Sequence, residues 1–406
     1  MKSLFLTNEF PPNIYGGAGV HVDYLTRELA KLMEVEVRCF GSAPEPQLLS
    51  SGSLYATAYG VDAGRYGAPR QLHAVFGALQ RGIDWNSAGV DADLVHLHTW
   101  YTHMGGILAK LNYGIPLVLT VHSLEPLRPW KREQLGRGYD FSCWVERTAI
   151  EMADAVVAVS SDTRADVLRL FNVQPEKVHV IHNGIDLDEY RRKESTDALQ
   201  KYGIDPSRPY LLFVGRITRQ KGIIHLARAI RHMGRDFQVV LCAGAPDTTE
   251  ILLEMQAAVS DAQSRHGRVI WIQEMVAKQE IIELYSHAAV FCCPSVYEPF
   301  GIINLEAMAC DTPVVASAVG GIKEVVVDEE TGILVPLGLR PGTFEPVDAD
   351  GFEKGLAEGV NRLMADPGLR ARMGSAGRAR AAALFSWSAI AQRTLELYTG
   401  LLEARG

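Results

Sequence analysis

In the run VFCCPSVYEPFGIINLEAMA, residues 290–309, an apolar stretch from Val290 to Pro294 ends in a loop shaped by Pro299 and Gly301, and a helical pattern starts at Ile302. Strand, loop and helix in that order make the repeating unit of a parallel sheet wrapped by helices. The same theme occurs upstream, with Tyr210–Gly215 as strand, a polar loop, and Ile223–Arg231 as helix. Further strands are predicted at Gln238–Ala243, Val269–Gln273, Pro313–Ser317 and Gly332–Val335. In the first half they are predicted at Ser3–Thr7, Glu36–Phe40, Leu94–His98, Leu117–Val121, Ala155–Ser160 and Val178–Ile181. Val20, Tyr24, Leu25, Leu29 and Leu32 recur at helical spacing, so Gly19–Leu32 reads as an amphipathic helix. The segment from Ser42 to about Gly67, rich in Gly, Ala, Ser and Pro, gives no element. Near Asn183–Gly184 the pattern breaks and then begins again. The fold class is α/β, in two units of similar size, 1–185 and 186–387, followed by a last helix from Ser388.

The chain has 406 residues, 47% of them hydrophobic and 22% charged, a globular balance that excludes a mainly disordered protein. No stretch approaches the apolar length of a membrane span. Lys+Arg 40 against Asp+Glu 48 gives a net charge of -8, so nothing draws the whole chain to nucleic acid or anionic lipid. A phosphate-bearing partner must therefore meet a local basic site. The six cysteines form no C-x-x-C pair and no disulfide framework, which fits a reducing compartment. The N-terminal apolar segment is too short for a signal peptide, and a cytoplasmic location is expected.

Three loops carry chemistry. In Tyr15-Gly16-Gly17-Ala18-Gly19 the glycines let backbone amides approach an anion at a helix start. Val20, His21 and Val22 follow, so the third glycine of a dinucleotide fingerprint is missing and a nicotinamide enzyme is disfavoured. The turn alone reads equally well as a plain tight turn. Gly215-Arg216-Ile217-Thr218-Arg219-Gln220-Lys221-Gly222 leaves a strand and enters a helix, where Arg216 and Lys221 could neutralise a diphosphate. Taken alone, they are solvated loop cations. Glu298 on its loop and Glu306 in its helix would reach different parts of one extended ligand, and carboxylates suit sugar and ribose hydroxyls. Amides of Phe300, Gly301 and Ile302 could face an anion or sugar hydroxyls.

Glu298, seven intervening residues and Glu306, set in E-P-F-G-I-I-N-L-E-A-M-A, resemble the E-x7-E signature of retaining nucleotide-sugar glycosyltransferases with the GT-B fold. The resemblance extends to V-G-R-I-T-R-Q-K-G, H-N-G-I-D, V-G-G-I-K-E-V-V and T-G-I-L-V-P. T-N-E-F-P-P-N-I-Y-G-G-A-G-V-H-V and T-V-H-S-L-E-P-L-R-P-W-K are similar to the glycosyltransferase family-four group of bacterial glycogen and maltose-1-phosphate synthases. The resemblance implies two Rossmann-like domains facing each other across a cleft: an acceptor-side domain, 1–185, and a nucleotide-sugar domain, 186–387. The helix from Ser388 would pack back on the first.

It also implies α-glucosyl transfer with retention, from ADP-glucose or UDP-glucose, to a glucan or to glucose 1-phosphate. Arg216 and Lys221 would hold the diphosphate, Glu298 the transferred glucose, and Glu306 the ribose. The amides of Phe300, Gly301 and Ile302 would support sugar and phosphate, Gly17 would approach the phosphate, and the base would rest near Met275 and Val276. His122 would sit beside the anomeric centre, and Glu298 is the nearby nucleophile should the mechanism be covalent. On the acceptor side stand His98 and a basic pair, Arg128 and Lys131, within the wider set that includes Arg132 and Arg137.

No metal and no cofactor beyond the donor is expected. His96, His98 and His103 lack a further ligand at metal spacing, and the Asp-x-Asp pairs at Asp91/Asp93, Asp186/Asp188 and Asp348/Asp350 read as chance. The arginines Arg362, Arg370, Arg372, Arg378 and Arg380 read as a solvated face, and no stable membrane association is expected. A homodimer is compatible with the sequence. The rival readings are a family-four transferase of mannosyl or sucrose type, a nucleotide-sugar epimerase, and a binding protein that has lost its chemistry.

Overall fold

The computed structural model describes residues 1–43, 45–340, 343 and 345–405. It divides into two compact units, Met1–Gly184 with Trp387–Gly406, and Ile185–Ser386. Each crossing lies one residue before its expected position.

In the first unit the strands are β1 (Lys2–Thr7), β2 (Glu34–Phe40), β3 (Gln47–Ser50), β4 (Leu54–Tyr59), β5 (Leu94–His98), β6 (Leu117–Val121), β7 (Ala155–Ala158) and β8 (Val178–Val180). Their order across the sheet is β3-β4-β2-β1-β5-β6-β7-β8. All neighbours are parallel except β3 and β4. Helices cover both faces, so the central strands are near-continuous apolar runs. Leu4 and Leu6 of β1 join one layer with Trp85, Leu97 and Leu119. Phe5 points into the other, with Val22, Leu25, Leu29 and Tyr398.

β3 and β4 fall in the stretch where the sequence gives no element. Three of the four residues of β3 are exposed, two of them the adjacent leucines Leu48 and Leu49, so this edge strand has no alternating buried face to mark it; its pairing with β4 creates it.

The last helix, Trp387–Glu403, packs in this unit beside the helix Gly17–Leu29. Trp387 stacks on Tyr24 with ring centroids 5.7 Å apart. The Tyr398 hydroxyl lies 2.5 Å from Nδ1 of the buried His96, whose Nε2 lies 2.7 Å from Thr120 Oγ1.

The second unit has β9 (Tyr210–Arg216), β10 (Gln238–Gly244), β11 (Val269–Ile272), β12 (Val290–Cys293), β13 (Val314–Ser317) and β14 (Gly332–Val335) in the order β11-β10-β9-β12-β13-β14. Every pairing is parallel. The chain runs outward from β9 on one side and returns to start β12 on the other. The sheet therefore has its switch point between β9 and β12, and the loops leaving these two strands diverge there.

Arg370, Arg378 and Arg380 of the helix Pro367–Leu384 depart from the expected solvated face, whereas Arg372 is exposed and Arg362, on the preceding helix, pairs with Glu329 at the surface. Arg370 donates to the carbonyls of Leu363 and Met364, Arg378 to Ala309, and Arg380 to Glu324 and Val325. Each of these carbonyls belongs to the last turn of another helix, where the backbone has no partner of its own. All six cysteines are free thiols. No helix among the described residues is long and apolar enough to cross a membrane.

Tyr398→Phe leaves the buried His96 Nδ1 without its partner, at a cost of about 1–3 kcal/mol. Urea unfolding should show a lowered midpoint with an unchanged m-value. An unchanged midpoint would mean the hydroxyl does not hold the last helix.

Candidate active site

In the second unit the loops after β9 and β12 are bonded to each other. Val296 donates its amide to the Gln220 carbonyl at 2.9 Å. Gly222 has φ +61, and a Cβ there would collide with the Pro294 carbonyl oxygen, so the close approach requires glycine. Across this junction Lys221 Nζ donates to Glu298 Oε2 at 2.7 Å. Ser295 Oγ donates to the same carboxylate at 3.1 Å, and Ser317 Oγ in turn donates to the Ser295 carbonyl. Burial opposes the charge on Lys221, but Glu298 outweighs it and holds the ammonium above its ordinary range.

Arg216 is half-exposed and paired with Asp247 at 3.0 Å, so any anion it binds competes with that carboxylate. Gly301 precedes the helix Ile302–Ala309, with Phe300 buried beside it. Glu306 projects from that helix between two tyrosines. Tyr190 OH donates to Oε1 and Tyr285 OH to Oε2, each at 3.0 Å. Burial raises the pKa of Glu306, and the two hydroxyls oppose that rise. Met275 is 84% exposed and Val276 is buried, so only Met275 presents its side chain to solvent.

The first unit has its switch point between β1 and β5, and the same logic gathers residues there. Glu9, after β1, accepts from the amides of Tyr15 at 3.0 Å and Gly16 at 2.8 Å. The glycine-rich turn is thus shaped by an internal carboxylate, and a Cβ on Gly19 would strike the Glu9 side chain. Gly17 follows as the first residue of its helix. His122, after β6, is partly exposed, and its Nε2 lies 2.9 Å from His98 Nδ1. His21, from the helix after β1, is bonded through Nδ1 to Asn183 Oδ1 at 2.6 Å.

His98 does not line an acceptor surface as expected. Its side chain is fully buried, stacked on Phe5 and bonded to His122, so it positions that ring. Trp100, the first residue of the helix after β5, is buried too. His96, His98 and His103 were set aside as a metal set on spacing; the fold brings two other imidazoles, His21 and His122, to His98.

The basic set after β6 splits. Arg132 pairs with Asp140 at the surface. Arg128 and Lys131 instead converge on Glu125 Oε1, at 3.7 and 3.6 Å, and Arg128 Nη1 donates to Ser123 Oγ at 3.0 Å. Nε of Arg128 is buried without a hydrogen-bond partner. Glu146 accepts from the Glu125 amide at 2.8 Å; burial, with Glu125 adding to it, pushes the Glu146 carboxyl well above its ordinary range. Two basic side chains thus share one carboxyl group, Glu125.

Glu9, Glu125, Tyr190 and Tyr285 were not found from the sequence. Tyr190 lies just beyond H-N-G-I-D, and Glu9 lies inside T-N-E-F-P-P; only the fold shows what either side chain meets.

Comparison with known proteins shows the family. The family described as Glycosyltransferase Family 4 matches residues 15–189, and that described as Glycosyl transferases group 1 matches residues 194–380. The chain is 49% identical to the alpha-maltose-1-phosphate synthase of Mycolicibacterium smegmatis, over 98% of this chain and 99% of that one. It is 48% identical to the enzyme of the same name from Mycobacterium tuberculosis, with coverage of 98% and 99%. Among solved structures, a sucrose-phosphate synthase from Thermosynechococcus elongatus superimposes with a TM-score of 0.81 at 26% identity, over 100% of both chains. The chain belongs to the family-four glycosyltransferases of GT-B fold and is a hexosyltransferase, which sets aside the epimerase and the inert binding protein.

The buried histidines make a pH prediction. Burial lowers His21 to about 4 and His103 to about 3; it also takes His96, His98 and His122 well below their ordinary value, and neighbouring imidazoles add to the effect in those three. A histidine neutral in the fold and basic when unfolded gives stability that is complete above about pH 6.5 and lost as pH falls toward the folded value. His21 alone should cost about 2 kcal/mol between pH 7.5 and 5. Urea unfolding across that range should show a steep loss, and a flat profile would contradict the neutral cluster.

Proposed function

We propose that the chain transfers glucose from ADP-glucose to glucose 1-phosphate with retention of configuration, giving maltose 1-phosphate and ADP. The observation that carries the acceptor half is the convergence of Arg128 and Lys131 on the single carboxyl group of Glu125, with Arg128 bonded to Ser123 and its Nε unpartnered. A neutral glucan end has no group that needs two cations. The name shared by the mycobacterial relatives points to the same phosphorylated product.

On the donor side, the groups holding the diphosphate and the glucose must be neighbours, because the bond that breaks lies between those two parts. Lys221 and Glu298, 2.7 Å apart, meet that condition. Lys221 and Arg216 take the diphosphate, Arg216 by leaving Asp247. Glu298 accepts from glucose hydroxyls, and Glu306, oriented by Tyr190 and Tyr285, accepts from the ribose. The amides of Phe300, Gly301 and Ile302 support sugar and phosphate, Gly17 approaches the phosphate, and the base rests near Met275 and Val276.

The C1–O bond to the diphosphate breaks as the acceptor hydroxyl oxygen bonds C1 from the same face. The hydroxyl proton passes to the departing phosphate oxygen, so ADP leaves without a protein base. Lys221 and Arg216 stabilise the negative charge that develops there, the term most effective in such a site. His122, held by His98, bonds the sugar beside the anomeric carbon.

An α-1,4-glucan acceptor is the second reading, because it would use the same donor residues. Purified protein given ADP-glucose, glycogen and glucose 1-phosphate together should form mainly the phosphorylated disaccharide, and more slowly from UDP-glucose. Chain extension alone would overturn the acceptor assignment. Arg128→Ala with Lys131→Ala should raise the KM for glucose 1-phosphate by about 10- to 100-fold, as expected for lost charge-assisted bonds. Equal losses with glycogen would remove the phosphate pocket. EDTA should leave the rate unchanged, and a collapse would mean that transfer needs a metal.

A further inference from the structure

His21, His98 and His122 come from separate elements, the helix after β1, the end of β5 and the loop after β6. One nitrogen of each lies within 4.8 Å of the other two. Their ring centroids are 5.4, 4.8 and 5.2 Å apart for His21–His98, His21–His122 and His98–His122. Four-coordinate zinc places its ligand nitrogens about 3.3 Å apart, with bonds of about 2.0–2.1 Å. His98 Nδ1 and His122 Nε2, at 2.9 Å, already stand close to that spacing, and ring rotation closes the rest.

The hydrogen bonding suits ligation. The Asn183 oxygen takes the Nδ1 proton of His21, which leaves Nε2 as a lone pair, buried and without a partner. An oxygen acceptor on the far nitrogen is the usual support of a metal-bound imidazole. The trio contains no carboxylate, so hard cations such as Mg²⁺ and Ca²⁺ have no suitable donors. Neutral imidazoles likewise give an anion little to bind. His122 is partly exposed and leaves a way in and a position for a further ligand.

We propose that His21, His98 and His122 bind one transition-metal dication of the zinc class, and that the bound ion inhibits glucosyl transfer by occupying the His122 ring. Binding stands on the geometry alone. Inhibition rests on the role given to His122 in the proposed reaction.

The test is a titration of untagged, chelator-treated full-length protein with Co²⁺, read by the visible absorption of nitrogen-bound cobalt. One equivalent should bind per chain and be displaced by Zn²⁺. His21→Gln should weaken binding at least about 10-fold, and Asn183→Ala, which removes no ligand, about 10- to 100-fold. Should His21→Gln fail to fold, the Asn183 variant carries the test. Absence of the one-equivalent band, or unchanged affinity in folded variants, would overturn the site. ADP release from ADP-glucose should fall with the same midpoint as binding. Binding without inhibition would overturn the inhibitory role and remove His122 from the reaction while leaving the metal site. A protein inert toward ADP-glucose would still report binding through the cobalt spectrum.

Discussion

The ion pair of Lys221 with Glu298 is the constraint around which the second unit's site is organised. Its partners are 77 residues apart in the chain and meet only because β9 and β12 lie side by side at the switch point. A buried charge without its partner is costly, so each residue fixes the other's loop. The bonds around them serve that end. Val296 ties to Gln220, Ser295 and Ser317 hold the carboxylate side, and Gly222 admits the Pro294 carbonyl. The result is a cation and a carboxylate held side by side at the strand ends, and in the proposed reaction they divide a diphosphate sugar between them.

The first unit uses the same topology with different chemistry. At its switch point Glu9 fills the glycine-rich turn, and Thr99 bonds Asn8 across the gap between β5 and β1 at 2.7 Å. Imidazoles there are kept neutral by burial, while the loop after β6 gathers Arg128 and Lys131 over Glu125. Polar groups in both units are thus oriented by other buried polar groups, and little of either site depends on a single flexible side chain.

Much of this was legible in the sequence because buried parallel strands leave a plain mark. Leu94–His98 and Leu117–Val121 were read to the residue, since both faces are covered, every residue is buried, and all but His96, His98 and Thr120 are apolar. The placement of Lys221, Glu298 and Glu306 after β9 and β12 was legible from strand-end position. What was not legible depends on contacts between distant segments. β3 is exposed and exists by pairing with β4. The clamp of Tyr190 and Tyr285 on Glu306, and the approach of His21 to His98, have no local signal because each joins elements far apart in the chain. His98 was misplaced for a related reason: the end of a strand marks the site, but only the fold tells whether a side chain faces the ligand or the residue behind it.

The most direct measurement is kcat for ADP-glucose and glucose 1-phosphate in Lys221→Ala, together with a Lys221→Met, Glu298→Gln double variant that leaves no stranded charge. Folding is to be checked by circular dichroism at the assay temperature. If Lys221 carries the leaving diphosphate, kcat should fall by at least about 100-fold in both variants, the scale on which a positioned charge donor acts. A folded variant turning over within a few-fold of the native rate would show that the pair is structural and that the diphosphate is held elsewhere.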